Sequence, residues 1–133
     1  GSYDFSFSGL KSAVINYKHN MDQRGEEIIP EKVAKGFQDS VVEVLTAKTV
    51  RAAREFHVKQ VIAAGGVSAN KGLRMALENA FKEEGIPFYV PPLKLCTDNA
   101  AMIGAAAYEM YQAGVRGNLA MNGRPGMELI SWK

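Results

Sequence analysis

The ten residues from Val61 to Asn70 constrain the fold more than any other stretch. An apolar run, Val61-Ile62-Ala63-Ala64, stops at two adjacent glycines, and helical spacing sets in just beyond Asn70. A strand that enters a glycine pair and leaves into a helix is the building block of layered α/β domains. Neither glycine carries a Cβ, so Gly65 and Gly66 let bare backbone come close to a neighbour. In open α/β sheets small ligands lie beyond the carboxyl ends of the strands, where this turn falls. A tight turn without a ligand is the competing account, and both stand at this point.

The flanking patterns extend the same architecture. Phe5 and Phe7 alternate with Ser6 and Ser8, which predicts a short strand with its aromatic side chains on one face. Ser8-Gly9 hands over to a helix from Leu10 to about Tyr17, with Leu10, Ala13, Val14 and Tyr17 on one side. The polar segment from Asp22 to Glu27 reads as a loop. Pro30 and Glu31 suit the first turn of a long helix reaching about Phe56. Its predicted buried stripe is Ala34, Phe37, Val41, Leu45, Ala52 and Phe56. Gly36 within it costs about 1 kcal/mol against alanine, a cost that points to close packing there.

Residues 60–64 are predicted as a buried strand. Leu73, Ala76, Leu77, Ala80 and Phe81 then repeat at helical spacing, while Arg74, Glu78 and Lys82 read as exposed i,i+4 pairs. Gly85 stops this helix. Residues 87–90 form a second apolar strand closed by Pro91-Pro92, and Asp98 begins a last helix running to about Ala113. Residues 115–133 read mostly as loop. The predicted fold class is α/β, with parallel strand pairs in a sheet of three or four strands.

A chain of 133 residues supports one domain or one lobe of a larger protein. Gly1-Ser2 reads as a cloning scar, and residues 3–133 as a single lobe cut from a longer protein. The 16 basic and 14 acidic residues leave a formal charge of +2, too balanced to argue for nucleic-acid binding alone but compatible with an RNA substrate. One cysteine, Cys96, excludes an internal disulfide and fits a reducing, cytoplasmic setting. No apolar run approaches the ~20 residues of a membrane span.

Three sets of residues carry candidate chemistry. Gly65 and Gly66 offer backbone to a nucleotide, and Asn70 stands where the following helix begins. Asparagine caps helices well, and its amide also donates and accepts to a ribose or base edge. Neither a Walker loop nor a G-x-G-x-x-G spacing is present. In Cys96-Thr97-Asp98-Asn99, Asp98 is either the N-cap of the alanine-rich helix or a carboxylate metal ligand. Lys11, near Ser6 and Ser8, is a phosphate contact or a solvated lysine. His19 and His57 lie far apart and read as surface residues, without zinc-type spacing.

Three of these segments together resemble the TsaD family, also called Gcp or YgjD, of bacterial tRNA adenosine threonylcarbamoyltransferases. Phe5-Ser6-Phe7-Ser8-Gly9-Leu10-Lys11 is similar to the family's F-S-F-S-G-L-K segment. Ala64-Gly65-Gly66-Val67-Ser68-Ala69-Asn70, with Leu73-Arg74, resembles its A-G-G-V-A-A-N-x-x-L-R. Cys96-Thr97-Asp98-Asn99-Ala100-Ala101-Met102 resembles its C-T-D-N-A-A-M. The resemblance runs through nearly the whole chain in order and corresponds to the C-terminal part of the family's length.

It implies one lobe of an actin-like, sugar-kinase/Hsp70-type (ASKHA) ATPase fold. The implied reaction moves threonylcarbamoyl from threonylcarbamoyl-adenylate to the exocyclic amine of an adenosine beside the tRNA anticodon. Asn70, Gly65 and Gly66 would line the pocket for that adenylate or an ATP-like nucleotide, and Asp98 would be one ligand of iron or zinc. The family's H-x-x-x-H metal motif does not occur here, so the isolated chain is expected to be inactive and to bind metal weakly. TsaB and TsaE are the implied partners. A lobe cut from its mate exposes apolar surface, which makes self-association an expectation.

Two other activities compete. A metal-dependent glycoprotein endopeptidase follows from older naming of the family, yet the chain has neither H-E-x-x-H nor an assembled nucleophile. Another ASKHA-fold kinase or carbamoyltransferase lobe would lack the combined F-S-F-S-G-L-K and C-T-D-N-A-A-M pattern.

Overall fold

The computed structural model describes residues 2–123 and 125–126. The elements run α1 (Phe7–Arg24), α2 (Pro30–Glu55), β1 (Val61–Ile62), α3 (Lys71–Glu84), β2 (Phe88–Tyr89) and α4 (Ala100–Gln112). Single 3-10 turns occupy Gly66–Ala69 and Leu93–Leu95. The chain divides into two compact units, one ending at Asp98 and the other beginning at Asn99.

In the first unit β1 and β2 pair in parallel, Val61 beside Phe88 and Ile62 beside Tyr89, with α3 as the crossover. The α/β class and the parallel pairing are as expected from sequence. The sheet is smaller than expected, with two strands among the described residues. The predicted strand at residues 5–8 is instead the start of a helix. Ser6 is extended, and its Oγ accepts from the Gly9 backbone N–H at 3.1 Å, so the serine caps α1. A cap satisfied within three residues outweighs a four-residue alternation that has no strand beside it among the described residues.

Packing centres on α3. Leu73, Leu77 and Phe81 are buried on one face, and Phe81 stacks on Phe88 with centroids 5.6 Å apart. Ala53 of α2 completes the core, with Leu45, Val61 and Ile86 packed around it. Gly85, at φ 67°, ends α3 in the left-handed conformation expected of it.

The long helix keeps its predicted limits, but its stripe is narrower. Val41 and Ala53 are buried, whereas Ala34 and Phe56 are exposed. Gly36 does not mediate close packing, since a Cβ there would meet nothing within 4 Å. The close approach is at Gly72, where a Cβ would stand 3.2 Å from Asn70 Oδ1 and 3.4 Å from Gln38 Nε2. β1 is also less buried than expected, Ile62 being exposed, because β2 is the only strand beside it among the described residues.

The second unit contains α4, which buries none of its residues. Among the described residues of the predicted tail, 115–123 and 125–126 form no helix or strand; residues 124 and 127–133 lie outside the described residues, as does Gly1 of the predicted scar.

Candidate functional site

The glycine corner is open. Gly65 has φ 89° and ψ 170°, a conformation that effectively requires glycine. A Cβ built on either Gly65 or Gly66 would have no atom within 4 Å. The corner is held from behind by Ser68, the buried polar residue of the 3-10 turn. Its backbone N–H (3.0 Å) and its hydroxyl (2.7 Å) both donate to the Gly65 carbonyl.

Asn70 both caps and faces outward. Its Oδ1 accepts from the Leu73 N–H at 3.0 Å, and its Nδ2 donates to Gln38 Oε1 at 3.2 Å. The cap reading is therefore realised. One Nδ2 hydrogen and one Oδ1 lone pair exceed those two bonds.

Gly66 and Asn70 line a groove of about 940 Å³, with Val14 and Tyr17 of α1 and Phe37 and Val41 of α2 on its other walls. Such a surface suits a flat, largely apolar group with one polar edge. Gly65 and Asp98 do not line it.

Asp98 is not the cap of α4. Asn99 is extended, and its side chain accepts from the Met102 N–H at 3.0 Å, so the helix begins one residue later than predicted. Two good capping residues stand side by side, and only the one directly preceding the first helical residue can cap. Asp98 is left exposed, with no hydrogen bond or ion pair to a described residue. A free carboxylate is a suitable single oxygen donor for a cation. Among the described residues no group of three or more His, Cys, Asp or Glu could hold a metal ion.

The arginine predicted to be exposed turns inward. Arg74 is half-buried and bonds to Ser68, Pro91 and Cys96 rather than to Glu78. It flanks the Leu73–Leu77–Phe81 face, and that position was the signal available in the sequence. Cys96 is buried with its sulfur against this guanidinium. Lys11, His19 and His57 are exposed.

Comparison with known proteins adds the lineage. The family model described as TsaD, tRNA N6-adenosine threonylcarbamoyltransferase, matches residues 1–105. Proteins named tRNA N6-adenosine threonylcarbamoyltransferase are similar throughout the chain. That of Bacillus subtilis (strain 168) is 60% identical over 134 residues, covering 100% of this chain and 39% of the relative. That of Shouchella clausii is 62% identical, covering 98% of this chain and 39% of the relative. That of Staphylococcus epidermidis is 59% identical, covering 96% and 38%. The chain thus spans about two fifths of the length of the curated relatives it matches.

Proposed function

The chain belongs to the TsaD family of tRNA N6-adenosine threonylcarbamoyltransferases, and from that premise we propose that it forms one wall of a nucleotide cleft. The parallel α/β unit is consistent with one lobe of the ASKHA fold. The observation that carries the reading is the open corner at Gly65 and Gly66, of which Gly66 lines the groove together with Asn70.

In the proposed reaction the exocyclic amine of a tRNA adenosine attacks the carbamoyl carbonyl of threonylcarbamoyl-adenylate. A new N–C bond forms, the amine gives up a proton, and the adenylate leaves as AMP. The backbone at Gly65 and Gly66 lets the nucleotide lie close, and the remaining Nδ2 hydrogen of Asn70 donates to it. Asp98 contributes one carboxylate to iron or zinc, the other ligands coming from outside this chain. When bound, such an ion supplies Lewis-acid polarisation of the carbonyl. By itself the chain is expected to bind metal weakly and not to turn over.

TsaB and TsaE are the proposed partners, and a cytoplasmic location fits a tRNA substrate. Among the described residues no helix is long and apolar enough to cross a membrane.

The test is threonylcarbamoyl transfer to tRNA by the full-length protein that carries this segment. Asp98→Ala is expected to lower kcat/KM at least about tenfold. Asn70→Asp separates cap from contact, because it keeps the capping acceptor and removes the donor. It is expected to fold normally and to raise KM for the adenylate about tenfold. Metal-dependent cleavage of a glycoprotein with no transfer to tRNA would overturn the assignment in favour of an endopeptidase.

A further inference from the structure

One guanidinium joins the two segments to which sequence assigned chemistry. Arg74, in the first turn of α3, donates from Nε to the Ser68 carbonyl at 2.5 Å. Its Nη2 donates to the Pro91 carbonyl at 2.8 Å and to Cys96 Sγ at 2.9 Å. The Cys96 thiol in turn points its weak donor at the Pro92 and Pro91 carbonyls, 3.6 and 3.8 Å away. Ser68 is the residue that fixes the Gly65 carbonyl, and Cys96 stands two residues before Asp98.

We infer that Arg74 is a positioning residue that sets the glycine wall and the loop leading to Asp98 in one fixed relation. The inference rests on the cleft proposed above. A guanidinium is the side chain suited to this task, because its rigid planar fork reaches acceptors in diverging directions at once. Hydrogen bonds from a charged donor are also about twice as strong as neutral ones. Lysine is a point charge on a flexible stem and cannot hold all three acceptors in that geometry. The guanidinium acts through its neighbours: one side reaches Gly65 through Ser68, the other reaches the Asp98 loop through Pro91 and Cys96.

The experiment has two readouts. Amide hydrogen exchange of this chain compares Arg74→Gln with wild type. Exchange is expected to rise at least about tenfold at Ser68 and Asn70 and also at Leu95 and Cys96, while Leu77 and Phe81 stay within about twofold. In the full-length protein, Arg74→Gln is expected to raise KM for the adenylate and lower kcat, each about fivefold or more, with Arg74→Lys intermediate. Cys96→Ser, which keeps an acceptor, is expected to retain protection at both segments, and Cys96→Ala to lose it mainly at Leu95 and Cys96.

A uniform rise across α3 would make Arg74 merely structural and overturn the inference. So would a rise at one segment that leaves the other unmoved, or Arg74→Gln kinetics unchanged from those of a wild type that does transfer. A full-length wild type without transfer activity overturns the proposed function instead, and the exchange result then stands or falls separately.

Discussion

Helices α3 and α4 start alike and end up in opposite circumstances. They run 14 and 13 residues, and each is capped by an asparagine accepting a backbone N–H at 3.0 Å. The first buries Leu73, Leu77 and Phe81; the second buries nothing. In α3 the apolar residues recur every fourth position and form one stripe, whereas in α4 Met102, Ile103, Tyr108 and Tyr111 point to different sides, all exposed. A cap is a local bargain between a side chain and the backbone, so it forms in either setting. Burial requires a matching surface, and the α2 face around Ala53 supplies one for α3. The lesson is that a helix can be declared by its ends long before its faces are accounted for.

Core truncation breaks the comparison most sharply. Phe81→Ala removes the fully buried ring stacked on Phe88 and is expected to cost about 3–5 kcal/mol in urea unfolding. Ile103→Ala, on exposed α4, is expected to stay within about 0.5 kcal/mol. Similar losses for the two would erase the distinction.

The caps sharpen it at a smaller scale. Asn70→Ala is expected to lower global stability by about 1 kcal/mol. Asn99→Ala is expected to speed amide exchange in the first turn of α4. Unchanged exchange in that turn would mean that the Asn99 cap adds no protection to α4.

The smallest expected effect is one of pH. Arg54 of α2 holds Glu84 in the last turn of α3 through a two-pronged pair, Nε to Oε2 being 2.7 Å. The hydrogen bond from Arg54 is the main cause that holds the Glu84 carboxyl below its ordinary range. A carboxyl whose folded pKa is depressed contributes stability above its unfolded pKa and loses it as pH falls through the folded one. The difference in melting temperature between wild type and Glu84→Gln is therefore expected at pH 7 and should close below about pH 4. A gap that persists in acid would sever α3's stability from this pair.

Legibility in the sequence followed the range of the interaction. The start of α2 at Pro30, the Asn70 and Gly85 ends of α3 and its apolar face were readable because each depends on a few neighbouring residues, and the parallel pairing of the flanking strands followed from the helix that crosses between them. The alternation at residues 5–8 misled because four residues fit a strand and a capped helix start equally, and Ser6 decided for the helix. Gly36 drew attention through its propensity cost, yet the helix contact fell at Gly72, a matter of where two axes cross. In the candidate site, the glycine pair and Asn70 were visible as a turn and a cap. The freedom of Asp98 was not, since it turned on which of two adjacent capping residues preceded the first helical one.

The sequence by itself determined the kinds of element, most of their ends and the family to which the chain belongs. These are written in local chemistry: capping oxygens, ring-fixed or Cβ-free backbone, and apolar spacing. Only the tertiary structure decided that Arg74 turns inward to bind Ser68, Pro91 and Cys96, because those acceptors meet only after α3 packs against the sheet and the chain returns. Charge and helical spacing leave a flanking arginine free to face water or protein, and the choice falls to whichever acceptors the packed chain brings within reach.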